Sequence, residues 1–316
     1  MMAGEYSAGQ EAADASVIIC AYTEERWLDL IEAVDSIKNQ VTRAREVIVV
    51  IDHNPALFHR ASHFLSGVKV VENQEARGLS GARNTGIAHA CGELLMFMDE
   101  DATADPLWLH HLLTHYRSPG VSGVGGRIDP WWMGGRPTWF PEEFQWVVGC
   151  SYRGMPEETS PVRNLIGANM SFRRQVFEQA GRFAIGIGRV GTRPTGCEET
   201  ELCIRASEQS AAALFLFDPR AAVQHRVPKS RASLGYFLHR CFAEGRSKAQ
   251  VAQAVGAQRA LASERAYTLR VLPHGVLAGI RDALHGDVSG LGRTAAIVTG
   301  LALTAIGYLS GRLFRS

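Results

Sequence analysis

The sequence has no Cys-x-x-Cys pair, no marked excess of either charge, no internal repeat and no low-complexity tract. Each absence closes a class. The six cysteines, Cys20, Cys91, Cys150, Cys197, Cys203 and Cys241, are scattered, so neither a zinc site nor a disulfide framework is indicated and a reducing cytoplasm suits them. A net charge of +1 gives no basic field for nucleic acid. The first fifteen residues are small, polar and acidic, without the basic start and apolar centre of a secretory signal. They read as a flexible tail over residues 1–14.

What is present is an ordinary globular composition, 46% hydrophobic over 316 residues, enough for one large domain and an appendage. The first half alternates short apolar runs with helical periodicity, the pattern of a mostly parallel sheet covered by helices. The runs are Ser16 to Ala21, Glu46 to Asp52, Val68 to Asn73 and Leu94 to Asp99. Between the first two, Leu28, Ile31, Val34 and Ile37 predict the buried stripe of a helix. A glycine-rich entry at Gly78 leads into a helix with a stripe including Ile87, Ala90 and Cys91, and Asp105-Pro106 reads as an N-cap and first helical residue. The second half is less regular. It holds a strand at Gly123 to Ile128, an aromatic loop from Trp131 to Trp146, a strand at Asn169 to Phe172, a helix from Arg174 to Ala180 and two further strands, and it is helical from about Leu234.

Carboxylates collect where strands end. Asp99-Glu100-Asp101 follows a buried strand, at the edge where open α/β sheets bind ligands. Two or three carboxylates there suit Mg²⁺ or Mn²⁺, which take few protein oxygens and complete their shell with phosphates; an isolated Asp-x-Asp serves equally well as a helix cap. Asp52 ends the second strand at the same edge, and Ala21, Tyr22 and Glu24 end the first, where a small residue and an aromatic can flank a base. Arg77, Gly78, Arg83 and Asn84 put cations and glycine before a helix, suited to a phosphate or to a plain turn. That stretch carries no Walker lysine.

Together AYTEE, VID, RGLSGARNTG, FMDED and, downstream, GCEETELCIR resemble the inverting family 2 glycosyltransferases of GT-A fold, over about Ala15 to Lys248. The resemblance implies a nucleotide-sugar donor held by Ala21, Tyr22, Glu24 and Asp52, and a divalent cation on Asp99 and Asp101. It also implies a base in the acidic pair Glu198-Glu199. The family usually has Glu-Asp there, so the base role falls on Glu199. His225, after the last apolar strand, stands where such enzymes often supply a histidine to the metal or diphosphate. Glu100, Arg77, Gly78, Arg83, Asn84, Arg240 and Arg246 are the remaining donor-side candidates, the last two drawn from a basic region that includes Lys229, Arg231 and Lys248. Trp131, Trp132 and Asn169 are candidates for the acceptor, since aromatic rings stack on sugars; core packing is the other use for them. The Trp131 to Trp146 loop has glycines suited to a lid.

Residues 15–248 are thus expected to form the catalytic domain and 249–316 a helical extension. Thr294 to Leu309 is an uncharged apolar run between Arg293 and Arg312. At about 1.5 Å per residue it measures about 24 Å, somewhat short of the roughly 30 Å bilayer core. It spans the bilayer, lies in its interface, or packs as a hairpin with Leu269 to Leu284; a buried dimer helix is the soluble alternative. The expected enzyme works at the cytoplasmic face of the cell membrane on a saccharide or lipid-linked acceptor in cell-envelope glycan synthesis, with no nucleic-acid partner. A nucleotidyltransferase and a noncatalytic carbohydrate-binding scaffold are the competing readings. The first lacks its signature after strand one, and the intact acids weigh against the second.

Overall fold

A computed structural model describes residues 12–189, 196–210, 212–256 and 262–313. Its centre is a mixed sheet built on β1 (Ala13–Ala21), β2 (Ala44–Ile51), β3 (Lys69–Glu72) and β4 (Leu94–Asp99), which are parallel to one another. The sheet continues through β5 (Ala102–Ala104), β6 (Val121–Trp132), β7 (Ser160–Pro161), β8 (Asn169–Arg173) and β9 (Leu214–Val227). The strand order is β3-β2-β1-β4-β8-β6-β9-β5, with β7 also on β9. β8 runs antiparallel to both β4 and β6, while β6 and β9 are parallel.

Side chains alternate across a strand, and β1 fills both layers by that rule. Val17 and Ile19 face a core with α1 (Trp27–Lys38), α2 (Pro55–Phe64) and α4 (Trp108–His115). Ile18 and Cys20 face the opposite core with α3 (Leu79–His89), α5 (Arg174–Ala180) and α6 (Glu198–Gln209). A sheet covered on both sides needs uninterrupted apolar strands, which is why the runs were legible in the sequence. Gly86 lets α3 lie on the sheet, since a Cβ there would meet Ile18 Cγ2 at 2.5 Å.

Several expectations shift. In α1 the buried stripe is Trp27, Leu30, Ala33, Val34 and Ile37, while Leu28 is 69% exposed; steps of three drift off a 3.6-residue face. In α3 the stripe keeps Ile87 but loses Cys91, which is exposed beyond the helix end. Asp105 is not an N-cap, because a turn at Pro106 and Leu107 intervenes and α4 begins at Trp108. The two late apolar runs are one strand, β9, bent where its pairing with β6 slips between Gly126 and Ile128. Of the predicted tail, residues 1–11 lie outside the described residues, and Ala13 already belongs to β1.

From Leu234 onward the described residues are helical: α7 (Leu234–Val255), a short turn of helix at Ala262–Ala266 continuing as a π turn over Tyr267–Val271, α8 (Leu272–Leu284) and α9 (Ser289–Leu313). The boundary expected at 248 falls inside α7, which runs from Leu234 to Val255.

Candidate active site

Register brings the acids together. Cys20 of β1 pairs with Asp99 of β4, and Ala21 with Ile51 of β2, so Tyr22, Asp52 and Asp99 come off neighbouring strand ends. The Ala21 carbonyl accepts from the Asp52 N–H at 2.8 Å. β5 pairs Ala102 with His225 of β9, which carries the histidine beside the acidic turn. Asp99, Asp101 and His225 offer ligand atoms all within 4.8 Å of one another, the one such metal-ligating group among the described residues. Two carboxylates and an imidazole make a mixed oxygen–nitrogen donor set able to hold a divalent cation.

The turn is densely paired. His225 Nε2 lies 3.2 Å from Asp101 Oδ1, and Arg26 Nη1 lies 2.7 Å from Glu100 and 3.1 Å from Asp101. Burial would raise the Asp101 carboxyl, but His225 and then Arg26 overcome it and hold it well below the usual carboxylate range. Burial would likewise depress His225, yet the Asp101 charge wins and pushes it up to about 10; ligation of a metal would displace that proton. Burial dominates at Glu100 and lifts it to about 7 despite Arg26. Glu100 is therefore tied to Arg26 inside the turn.

Asp52 is buried, and its two oxygens accept from Asn73 Nδ2 at 2.7 Å and the Gly78 N–H at 3.0 Å. Gly78 adopts φ of +126°, a conformation open to glycine, and this aims its N–H at the carboxylate. Tyr22 lies under Arg26, 5.5 Å from ring centre to guanidinium carbon. Tyr22, Arg26 and Asp52 line a recess of about 60 Å³ that also reaches Ala21, Asp99, Asp101 and His225. The recess shares Tyr22, Arg26, Asp101, Arg189 and Arg231 with a wider cleft of about 710 Å³.

Arg83 ties the two acidic groups together. Buried in α3, it donates to Glu198 Oε1 at 2.6 Å and to the Gly167 carbonyl, and it stands 3.6 Å from Asp99 Oδ1. Glu198 and Glu199 open α6, after Cys197 in a left-handed conformation with φ of +75°. Glu198 is buried with Oε2 lacking a hydrogen-bond partner. Glu199 is half-buried; burial, then the Glu198 charge, raises it to about 8. Among the described residues no cation pairs with Glu199.

Other candidates sit elsewhere. Asn84 donates to the Phe183 carbonyl at 2.9 Å and accepts from the Phe183 N–H at 3.0 Å, so its amide fastens a loop. Asn169 is wholly buried, accepting from Trp108 Nε1 at 2.8 Å and donating to the Arg127 and Ala221 carbonyls. That leaves it no face for an acceptor sugar. Glu24 turns outward, 3.8 Å from Arg60, and Glu25 lines the cleft in its place. Arg77 is exposed. Arg240 pairs with Glu244 at 2.9 Å, and Arg246 is exposed on α7; neither lines the cleft. Trp132 packs on Phe140 with ring centres 5.1 Å apart, while Trp131 is 44% exposed with the Arg226 guanidinium 4.7 Å from its ring centre.

The cations that do line the cleft are Arg26, Arg189, Arg226, Lys229 and Arg231. Arg26 and Asn73 escaped the sequence reading. Arg26 sits in a three-residue turn with two glutamates, and nothing local distinguishes it from a solvated arginine; only the fold carries it to Glu100. Asn73 was read as the end of a strand. A further signal lay in its place one residue past β3, level with Asp52 past β2.

A mixed α/β sheet whose parallel strands gather acids, a histidine and cations at their carboxyl edge defines a GT-A-type nucleotide-sugar transferase fold. The model of the family described as Glycosyl transferase family 2 matches residues 16–181. The chain is 35% identical over 237 residues to the glucosyl-dolichyl phosphate glucuronosyltransferase of Haloferax volcanii, covering 74% of this chain and 75% of that one. It is 25% identical over 289 residues to the succinoglycan biosynthesis protein ExoM of Rhizobium meliloti, covering 89% and 83%. The chain belongs to glycosyl transferase family 2 and is a glycosyltransferase. Among solved structures, the mannosyltransferase PcManGT from Pyrobaculum calidifontis, in complex with GDP-Man and Mn²⁺, superposes with a TM-score of 0.59 at 19% identity, covering 95% of this chain and 88% of that one. The two share the GT-A fold.

Proposed function

We propose that this glycosyltransferase moves a sugar from a nucleoside-diphosphate donor to a hydroxyl of a lipid-linked or polysaccharide acceptor, inverting the anomeric carbon, at the cytoplasmic face of a membrane. The observation that carries the reading is Arg83, which holds Glu198 at 2.6 Å and Asp99 at 3.6 Å and so joins the acidic turn to the acidic pair. Relatives in dolichyl phosphate glycosylation and succinoglycan synthesis support the acceptor class, and six free cysteines suit a reducing compartment.

In this reading Tyr22 and Asp52 hold the nucleoside. The Asp52 oxygens keep lone pairs after accepting from Asn73 and Gly78. Asp99, Asp101 and His225 would hold a divalent cation, which when bound neutralises charge on the diphosphate. Arg226, Lys229 and Arg231 in the cleft stabilise the same growing negative charge. Glu199, beside the Arg83–Glu198 pair and without an ion-pair partner among the described residues, accepts the acceptor's proton as its oxygen attacks. A bond forms between that oxygen and the anomeric carbon, the bond to the diphosphate breaks, and the nucleoside diphosphate leaves. Trp131, half-exposed beside the cleft residue Arg226, is an aromatic available to an acceptor sugar.

The test is release of nucleoside diphosphate from UDP-, GDP- and dTDP-sugars, with lipid extracts as acceptor and a divalent cation supplied. Turnover with at least one donor is expected, lost in Glu199→Gln while donor binding persists. An enzyme inert with every donor, or an unaffected Glu199→Gln, overturns the proposal.

A further inference from the structure

The outermost helix, α9, is built inside out. Its packed face carries Gly290, Ala296, Ile297, Gly300 and Gly307, and its exposed face carries Leu291, Val298, Ile306, Leu309 and Leu313. A helix on a water-soluble surface does the reverse, turning large apolar residues inward. The small face lets the helices touch backbone to backbone. A Cβ on Gly245 of α7 would run into the Thr304 carbonyl, and one on Gly307 into the Phe242 carbonyl. A Cβ on Gly290 would strike the Gly279 carbonyl of α8. The outward stripe from Leu291 to Leu313 is about 33 Å long at 1.5 Å per residue. α8 extends it with Leu277, Ile280 and the 83% exposed Leu284. An apolar surface of this extent marks an interaction site.

We propose that α8 and α9 form a monotopic docking face that lies in the plane of an anionic membrane, entering one leaflet without crossing it. Charge selects the occupant. The three acids of residues 262–313 are all committed: Glu264 to Arg163 and Lys248, Asp282 and Asp287 to Arg293. Arg265, Arg270, Arg281 and Arg312 are exposed, and among the described residues none has a carboxylate partner. Four unpaired arginines around an apolar stripe match anionic headgroups, whereas a second copy would set like charges against each other.

The in-plane orientation follows from what α9 is fastened to. Ser289–Leu313 is long and apolar enough to cross a bilayer. Yet from Thr304 onward it lies against α7, which carries the ion-paired Arg240, Glu244 and Lys248 beside that contact. A span would drag those charges into hydrocarbon, at a cost of several kcal/mol. The same helix reaches the cleft rim: a Cβ on Gly292 would touch Trp139, and Arg293 donates to the Thr138 carbonyl, in the loop that starts at the cleft residue Met133.

The proposal deepens the membrane part of the proposed function, and its test uses neither donor nor acceptor, so it stands or falls apart from the transfer reaction. The full chain is floated with phosphatidylcholine vesicles, with and without phosphatidylglycerol. Binding is expected to strengthen with the anionic lipid, by about fivefold per engaged arginine. Val298→Glu/Ile306→Glu/Leu309→Glu should abolish flotation, with an unchanged melting temperature because these side chains are exposed. Arg270→Glu/Arg281→Glu should remove only the anionic increment. For orientation, His285→Cys and Arg312→Cys in a Cys91→Ser background are labelled with an impermeant maleimide after addition to preformed vesicles. Both should react from outside. Protection of one end alone would mean a span, and a discrete solution dimer dissolved by the glutamates without vesicle binding would assign the face to a second copy; either overturns the proposal.

Discussion

Glu199 offers the sharpest quantitative prediction. Burial and the neighbouring Glu198 charge raise its carboxyl to about 8, and a general base acts only when ionised. At pH 7 about one-tenth of the enzyme would carry the active form, and at pH 8 about half. The value of kcat/KM should rise roughly tenfold from pH 6 to 7 and level off above about pH 8. Glu199→Gln should lose about 10² to 10⁴ in kcat and with it the rising limb. Glu198→Gln removes a charge that raises Glu199, so its limb should move to lower pH. The linkage to stability has the opposite sense. Because the folded state keeps a proton that the unfolded chain has released, stability should fall as pH rises from about 4.5 to about 8, by at most about 1.4 kcal/mol per unit. Glu199→Gln should flatten that dependence and melt higher than the wild type at pH 8. Steady-state kinetics across pH 5.5 to 9 (roughly the range in which such a base titrates) and calorimetry at the same points supply both curves. A flat kcat/KM profile, or a glutamine variant retaining most of its activity, would refute the assignment of Glu199 as the base.

Chelation should abolish turnover and Mn²⁺ or Mg²⁺ restore it; Asp99→Asn should also lose the rise in melting temperature that the cation gives the wild type. Asn169→Leu strands the Trp108 N–H and two carbonyls in the core, and at about 1 to 3 kcal/mol for each unsatisfied group the variant should melt far below the wild type or fail to fold, as circular dichroism would report. Arg83→Met leaves Glu198 buried without its partner, a loss of about 3 to 5 kcal/mol measurable by denaturant titration. Gly307→Val forces α9 off α7 at Phe242, so limited proteolysis should release the C-terminal helix while the sheet survives.

The central strands were legible because burial on two faces leaves little freedom in composition: Leu94–Asp99 was readable to the residue, and so was Arg174–Ala180. Helix faces were less so, as Leu28 shows, because apolar residues also occur on exposed surface. At the site, carboxylates at strand ends could be found from local pattern, since topology fixes that edge. Side chains that serve by reaching across the fold could not. Arg26 meets Glu100 across 74 residues, and nothing near either one announces the other. Asn169 illustrates the converse: a polar residue opening a strand beside Asp99 looks available to a ligand, and only the three-dimensional packing of Trp108 and Ala221 shows its hydrogen bonds already used.

The Arg83–Glu198 contact joins positions 115 residues apart, and this bears on how the protein is made. During synthesis the N-terminal strands emerge first, with a guanidinium destined for burial whose 2.6 Å partner, Glu198, follows 115 residues later. Burial of that guanidinium is compensated only once α6 contributes the Glu198 carboxylate. The acidic turn and the acidic pair thus share one buried cation, and neither end of the site is electrostatically complete without the other.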